Sequence, residues 1–189
     1  MKIFSTFDEQ YQGVYLARFV DCNFYNTPLD YETELHKVQD QLQNPTYVRN
    51  FIKSSQSGWK QGKFKDKLLS FLAINVLEEA GDLFDKLIFL KKESQKGDCF
   101  ELLFDEFVEL SKREIYDDPG RRKMYTYDFK SLLRLYGIRL GNNAIIITGV
   151  GIKLVGAMQD CEALQLELNK MNYLKKWLQE KNITDCIQF

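Results

Sequence analysis

The chain carries one histidine in 189 residues, and that scarcity removes much familiar chemistry. His36 stands in a helical stretch, Leu35-His36-Lys37, without partner residues, so it reads as a surface or cap residue. A histidine-based triad or a zinc centre is thereby excluded. The four cysteines, Cys22, Cys99, Cys161 and Cys186, are far apart and form no Cys-x-x-Cys pair, which marks them as reduced thiols rather than metal ligands. There is no Gly-x-Gly-x-x-Gly, no phosphate loop ending in Gly-Lys-Ser/Thr and no Gly-x-Ser-x-Gly elbow. No apolar run approaches the roughly 18 residues of a membrane helix, and the first nine residues already hold Lys2, Asp8 and Glu9, unlike a leader. Internal repeats, low-complexity tracts and heptads are missing too. The expectation is a soluble cytoplasmic protein with no membrane partner, no metal and no cofactor.

What is present suits a folded domain. The chain is 44% apolar and 14% aromatic, enough to bury a core over residues 1–189 as a single domain. Charge is nearly balanced overall, at −1, but unevenly placed. Residues 75–118 hold 13 Asp/Glu against 6 Lys/Arg, whereas residues 121–153 hold Arg121, Arg122, Lys123, Lys130, Arg134, Arg139 and Lys153 against Asp128 alone. Such a local basic face can bind a phosphate backbone even in an acidic protein. The plainer alternative is that the acidic helix and the basic strands pair, with Arg134 and Arg139 opposite Glu78 and Asp82.

Along the chain, residues 2–7 predict a first strand, and residues 13–20 are ambiguous, leaning to a short helix. Asn23, Asn26 and Pro28 mark a loop. A helix is expected from residue 29 or 30 to 42, closed by Asn44-Pro45, and a second over 45–54 with proline in its first turn. Residues 54–62 look like a linker. Over 66–92, Leu69, Leu72, Val76, Ala80, Leu83 and Leu87 write one apolar stripe, the longest helical pattern in the chain. Residues 99–112 predict another helix, and Asp117-Asp118-Pro119-Gly120 a turn within a polar stretch. Asp160 is a plausible N-cap for a final helix carrying Leu164, Leu168, Met171, Leu174 and Leu178 and ending near 181–182, with Trp177 at the edge of the stripe.

Residues 132–154, LLRLYGIRLGNNAIIITGVGIKL, hold the unbroken β pattern. Leu133, Leu135 and Gly137 alternate with Arg134, Tyr136 and Ile138. Gly141-Asn142-Asn143 makes a hairpin turn into residues 144–148, apolar on both faces as a covered central strand would be. Ile152-Lys153-Leu154 predicts a third strand. The meander carries Arg134, Tyr136, Arg139 and Lys153. Without histidine or metal, arginine and lysine can still hold a scissile RNA phosphate and its developing charge, while tyrosine or lysine moves the 2′-hydroxyl proton. Tyr125, Tyr127 and Tyr136 are candidates for base stacking.

The order Arg134-Leu135-Tyr136, hairpin, Ile145-Ile146-Ile147, then Gly151-Ile152-Lys153-Leu154 running into a helix resembles the C-terminal half of RelE/HigB-type toxins, the HigB-like branch in particular. Glu78-Glu79-Ala80-Gly81-Asp82-Leu83-Phe84 looks like the helices that pack on the sheet in that family. The resemblance covers residues 100–181 as a core, with residues 8–65 as a helical insertion or extension. It implies an α+β, RelE-like fold in which a small antiparallel sheet, the C-terminal meander plus an N-terminal strand, packs against long helices. It also implies a bacterial type II toxin cutting mRNA on the ribosome, neutralised by a cognate antitoxin, expected to be a helix-turn-helix protein. Arg134, Tyr136, Arg139 and Lys153 then take the catalytic positions, with Arg121, Arg122, Lys123 and Lys130 as RNA-binding residues. The alternative is a noncatalytic protein-interaction module using the same basic sheet.

Overall fold

In a computed structural model, which describes residues 2–5, 13–19, 33–94, 106–112, 119–141 and 144–184, backbone hydrogen bonds join six strands into one sheet. The strands are β1 (Lys2–Ser5), β2 (Gly13–Arg18), β3 (Phe107–Glu109), β4 (Gly120–Tyr125), β5 (Leu133–Leu140) and β6 (Ala144–Ile152). The helices are α1 (Glu34–Leu42), α2 (Pro45–Ser54), α3 (Gln56–Trp59), α4 (Leu69–Ser94) and α5 (Glu162–Glu180). Strand order is β1-β2-β6-β5-β4-β3, antiparallel at every junction except β2 with β6, which run parallel. The fold is therefore α+β, a mostly antiparallel sheet packed against helices.

The two faces of the sheet bury separate cores. Leu133, Leu135, Ile145, Ile147, Val150 and Ile152 pack with Val38 and Leu42 of α1, Val48 and Ile52 of α2, and Leu72, Val76, Ala80 and Leu83 of α4. On the other face Tyr15, Tyr136, Ile138, Ala144 and Ile146 meet Leu164, Met171, Leu174 and Leu178 of α5. All nine residues of β6 are buried, as expected of a strand covered on both sides. Burying each large aliphatic side chain is worth about 1.5–3 kcal/mol, so the α5 stripe alone anchors that helix firmly.

One irregularity sets which residues face which core. Tyr136 pairs with Gly149 but Gly137 with Ile147, so Thr148 is an extra residue in β6. This bulge inverts the alternation, and Ile145, Ile147, Val150 and Ile152 all reach the same core. Gly149 and Gly151 consequently turn towards α5. A Cβ at Gly151 would stand 2.7 Å from Leu164 Cδ2 and 3.1 Å from Tyr136 Cε2, so glycine there lets α5 lie close on the sheet.

Several sequence expectations change. Residues 13–18 form a strand, not a helix; β2 is buried on both faces, which erases the period-two signal. Phe107–Glu109 is an edge strand rather than part of a helix, and Gly120–Tyr125 is a strand that begins at the last residue of the expected turn and for which no strand was expected. Residues 144–152 are one bulged strand, so no third strand exists at 152–154 and Lys153 follows β6 directly. The presumed linker holds α3, with Trp59 buried and donating Nε1–H to Ile52 O at 2.9 Å. Thr33 caps α1 and Asn44 caps α2, while Asp160 accepts from Ala157 N in the turn before α5 and leaves the N-cap position to Cys161. Cys22, Cys99, Cys186, the loop around Asn26, the start of the helix expected at 99–112, Asp117-Asp118 and the Asn142-Asn143 turn lie outside the described residues.

β2 pairs only with the first half of β6, Ala144–Ile147. Beside the remaining edge, α1 and α5 are tied by a buried ion cluster: Lys170 Nζ lies 2.8 Å from Glu34 Oε2 and 2.6 Å from Glu167 Oε1, all three side chains inaccessible to solvent or nearly so. Lys37 approaches Glu34 at 4.0 Å, and burial lowers its pKa from 10.5 to about 8, against the attraction of Glu34. Between these values the unfolded chain binds more protons than the folded one, so Lys37 makes stability rise with pH. Tyr47, held above its ordinary 10.0 by burial, acts oppositely at higher pH. Denaturant titrations from about pH 8 to 10 are expected to show a rising contribution that Lys37→Met removes.

Candidate functional site

Alternation along β4 aims Arg121, Lys123 and Tyr125 at the face that carries α5, while Arg122 and Met124 point to the opposite core. On β5 the same face receives Arg134 and Tyr136, and just beyond β6 it receives Lys153. The segment between α3 and α4 brings in Lys63. Together with Ser111, Phe129, Val155, Met158 and Gln159, these residues line an open cavity of about 480 Å³. Among the described residues, five cationic side chains and no carboxylate line it.

Three acids among the described residues accept backbone hydrogen bonds nearby. The Glu79 carboxylate, buried on α4, accepts from Leu132 N at 2.8 and 2.7 Å and from Leu133 N at 2.9 Å. Asp128 accepts from Lys130 N at 2.6 Å, and Asp160 from Ala157 N at 3.0 Å. The cations act on one another across the cavity as well as on these carboxylates. Burial lowers the Lys153 pKa, and the cations of Lys123, Arg134 and Lys63 push it further down. Burial and Arg134 do the same to Lys63. A group of cations that disfavour each other's charge is relieved when an anion enters.

Arg134 has a second task. It is only 5% exposed, stacks its guanidinium 4.2 Å from the centre of the Tyr125 ring, and donates to the carbonyls of Leu133 (2.7 Å), Phe129 (2.8 Å) and Ser131. No ion pair joins it to Glu78 or Asp82: Asp82 accepts from the Tyr127 hydroxyl and Glu78 is exposed, and the carboxylates that attract Arg134 are those of Glu79 and Asp128.

The remaining expected site residues are distributed unevenly. Tyr136 forms the floor of the cavity at 1% exposure, and burial pushes its hydroxyl well above the ordinary tyrosine range, so its ring offers no face to a base and its oxygen is no proton acceptor. Arg139 lies five residues along β5 on the other face, about 17 Å from Arg134 at strand spacing, with Nε donating to Gly141 O at 3.0 Å. Arg122 is buried on the other side of β4. Neither Arg122 nor Arg139 lines the cavity. Lys130 is exposed on the rim, its ammonium 5.7 Å from the Phe129 ring centre. Tyr127 is also exposed at the rim.

Lys63 and Phe129 were not singled out by the sequence reading. Lys63 had a signal, the basic run Lys60, Lys63, Lys65 and Lys67, which spans the end of the apparent linker and the start of the expected helix. Among the described residues no group of three His, Cys, Asp or Glu side chains is placed to hold a metal ion, and no helix is long and apolar enough to cross a membrane. No protein-family model matches the chain, and neither a curated protein nor a solved structure shows significant similarity to it.

Proposed function

We propose that the cavity binds the phosphodiester of RNA and that the chain is a RelE/HigB-type endoribonuclease toxin, acting on mRNA at the ribosome and restrained by a cognate antitoxin. The observation that carries this reading is the convergence of Lys63, Arg121, Lys123, Arg134 and Lys153 on one cavity. The two lysines with lowered pKa, Lys63 and Lys153, sit nearer to proton-transfer range than ordinary lysines. In the proposed step the 2′-oxygen bonds to phosphorus as its proton passes to a neutral lysine, and the bond from phosphorus to the 5′-oxygen breaks as that oxygen takes a proton from a lysine ammonium of the same cavity. The neighbouring cations hold the charge on the non-bridging oxygens. Products are a 2′,3′-cyclic phosphate and a 5′-hydroxyl end.

The buried Tyr136 favours one competing reading, a noncatalytic module that offers the same surface to an acidic partner. Induction in a bacterium separates the two. The nuclease reading expects growth arrest and loss of intact mRNA, both reduced about 100-fold or more by Lys153→Ala and by Lys123→Ala, the usual scale for removing a group that stabilises transition-state charge. Intact mRNA with normal growth under wild-type induction rejects cleavage, and a stoichiometric acidic protein copurifying with the inert chain establishes the module.

A further inference from the structure

The loop between β4 and β5 is held more tightly than its exposure requires. Ser131 Oγ accepts from Tyr127 N at 3.1 Å and from Asp128 N at 3.2 Å, and Ser131 N donates to Asp128 O at 3.1 Å. Glu79 fixes the two backbone N–H groups that follow, Leu132 and Leu133. Arg134 takes the Phe129 and Ser131 carbonyls from inside the fold, and Tyr127 is tied to Asp82 on α4. Yet this fixed backbone presents Phe129 at 69% and Tyr127 at 63% exposure, and Phe129 is among the residues lining the cationic cavity. Ordering a loop around an exposed ring costs conformational entropy that burial of the ring does not offset. Beside a phosphate site, the covering group with matching chemistry is a nucleobase, whose π-face stacks on an aromatic ring for about 1–3 kcal/mol.

We propose that the β4–β5 loop is a preformed nucleobase platform, with Phe129 as the stacking ring, and that Arg134 is the positioning residue that holds it. The ligand class is single-stranded RNA, since a base must leave its duplex partner to lie on a side chain at the rim. This rests on the phosphate-binding reading of the cavity and adds a second contact to it.

The test compares two fluorescein-labelled single-stranded RNA hexamers, one with all its bases and one abasic throughout, binding to the full chain by anisotropy. Wild type is expected to favour the base-bearing hexamer by about 5- to 150-fold, the range that one stacked base supplies. Phe129→Ala brings the ratio close to one, and Phe129→Trp keeps it. Ser131→Ala and Arg134→Gln lower the ratio by loosening the loop. Lys123→Ala with Lys153→Ala weakens both hexamers and leaves the ratio intact. Each variant is checked for folding by circular dichroism, and should Arg134→Gln not fold, Ser131→Ala decides the positioning role. Equal wild-type affinities, or an unchanged ratio in Phe129→Ala, overturn the platform while leaving the phosphate site standing. Binding of neither hexamer overturns both.

Discussion

Lys170→Met is expected to destabilise the fold by about 3–5 kcal/mol, the cost of leaving buried charge without its counter-ion. The ammonium stands between Glu34 and Glu167, at 2.8 and 2.6 Å, with all three groups out of solvent. Methionine fills a similar volume, so the loss reports charge rather than a cavity. Its pH dependence has a definite sign. Burial already raises the Glu167 carboxyl above its ordinary 4.5, against the pull of Lys170. Without the ammonium the folded-state value rises further. A raised carboxyl contributes stability at low pH that is lost as pH climbs through the folded value, so the gap between variant and wild type widens from about pH 5 to 8. Urea denaturation at both pH values measures this, and a gap that narrows towards pH 8 refutes it. Adding Glu167→Gln to Lys170→Met restores part of the loss.

Glu79→Ala is the second large effect, about 2–5 kcal/mol. The residue supplies the acceptor for two buried backbone donors, Leu132 N and Leu133 N, and each unsatisfied donor costs about 1–3 kcal/mol. Glu79→Gln keeps one carbonyl oxygen for those donors and is expected to lose less. Because the same peptide groups start β5 and carry Arg134 into the cavity, Glu79→Ala also weakens RNA binding. Parallel denaturation and anisotropy titrations check both effects, and equal stability losses for Ala and Gln would show that acceptor geometry is not the cause.

The parts of this structure legible in the sequence are those where one periodicity dominates. The stripe from Leu69 to Leu87 gives α4, Asn44-Pro45 marks the start of α2, and the spacing of Leu164, Met171, Leu174 and Leu178 gives α5. β5 and the hairpin after it, with Gly141 at φ 56°, were likewise readable. β2 escaped because Val14, Tyr15, Leu16 and Ala17 are all buried, and a strand apolar on both faces has no alternation to detect. β4 escaped because Arg121, Arg122 and Lys123 put cations on both faces, and long basic side chains half-bury their stems in ways composition does not reveal. The bulge at Thr148 reverses the alternation, so Gly149 and Gly151 looked like breaks between strands. Arg134, Tyr136, Lys123 and Lys153 were found as a basic and aromatic set from sequence; Lys63 was not, because its approach to Arg134 depends on how a segment about 70 residues earlier wraps the strand ends.

The parallel pairing of β2 with β6 sets Gly13 against Ala144 and Leu16 against Ile147, contacts separated by some 130 positions. Loop closure over that distance has to precede any gain from the pairing, which places this junction among the slow steps of folding. During synthesis the hairpin of β1 and β2 therefore waits, with its apolar residues unsheathed, until β6 has been made. The β2–β6 junction is among the last to form, and a chaperone that shields residues 13–18 is expected to raise the yield of folded protein more than one acting on the helices.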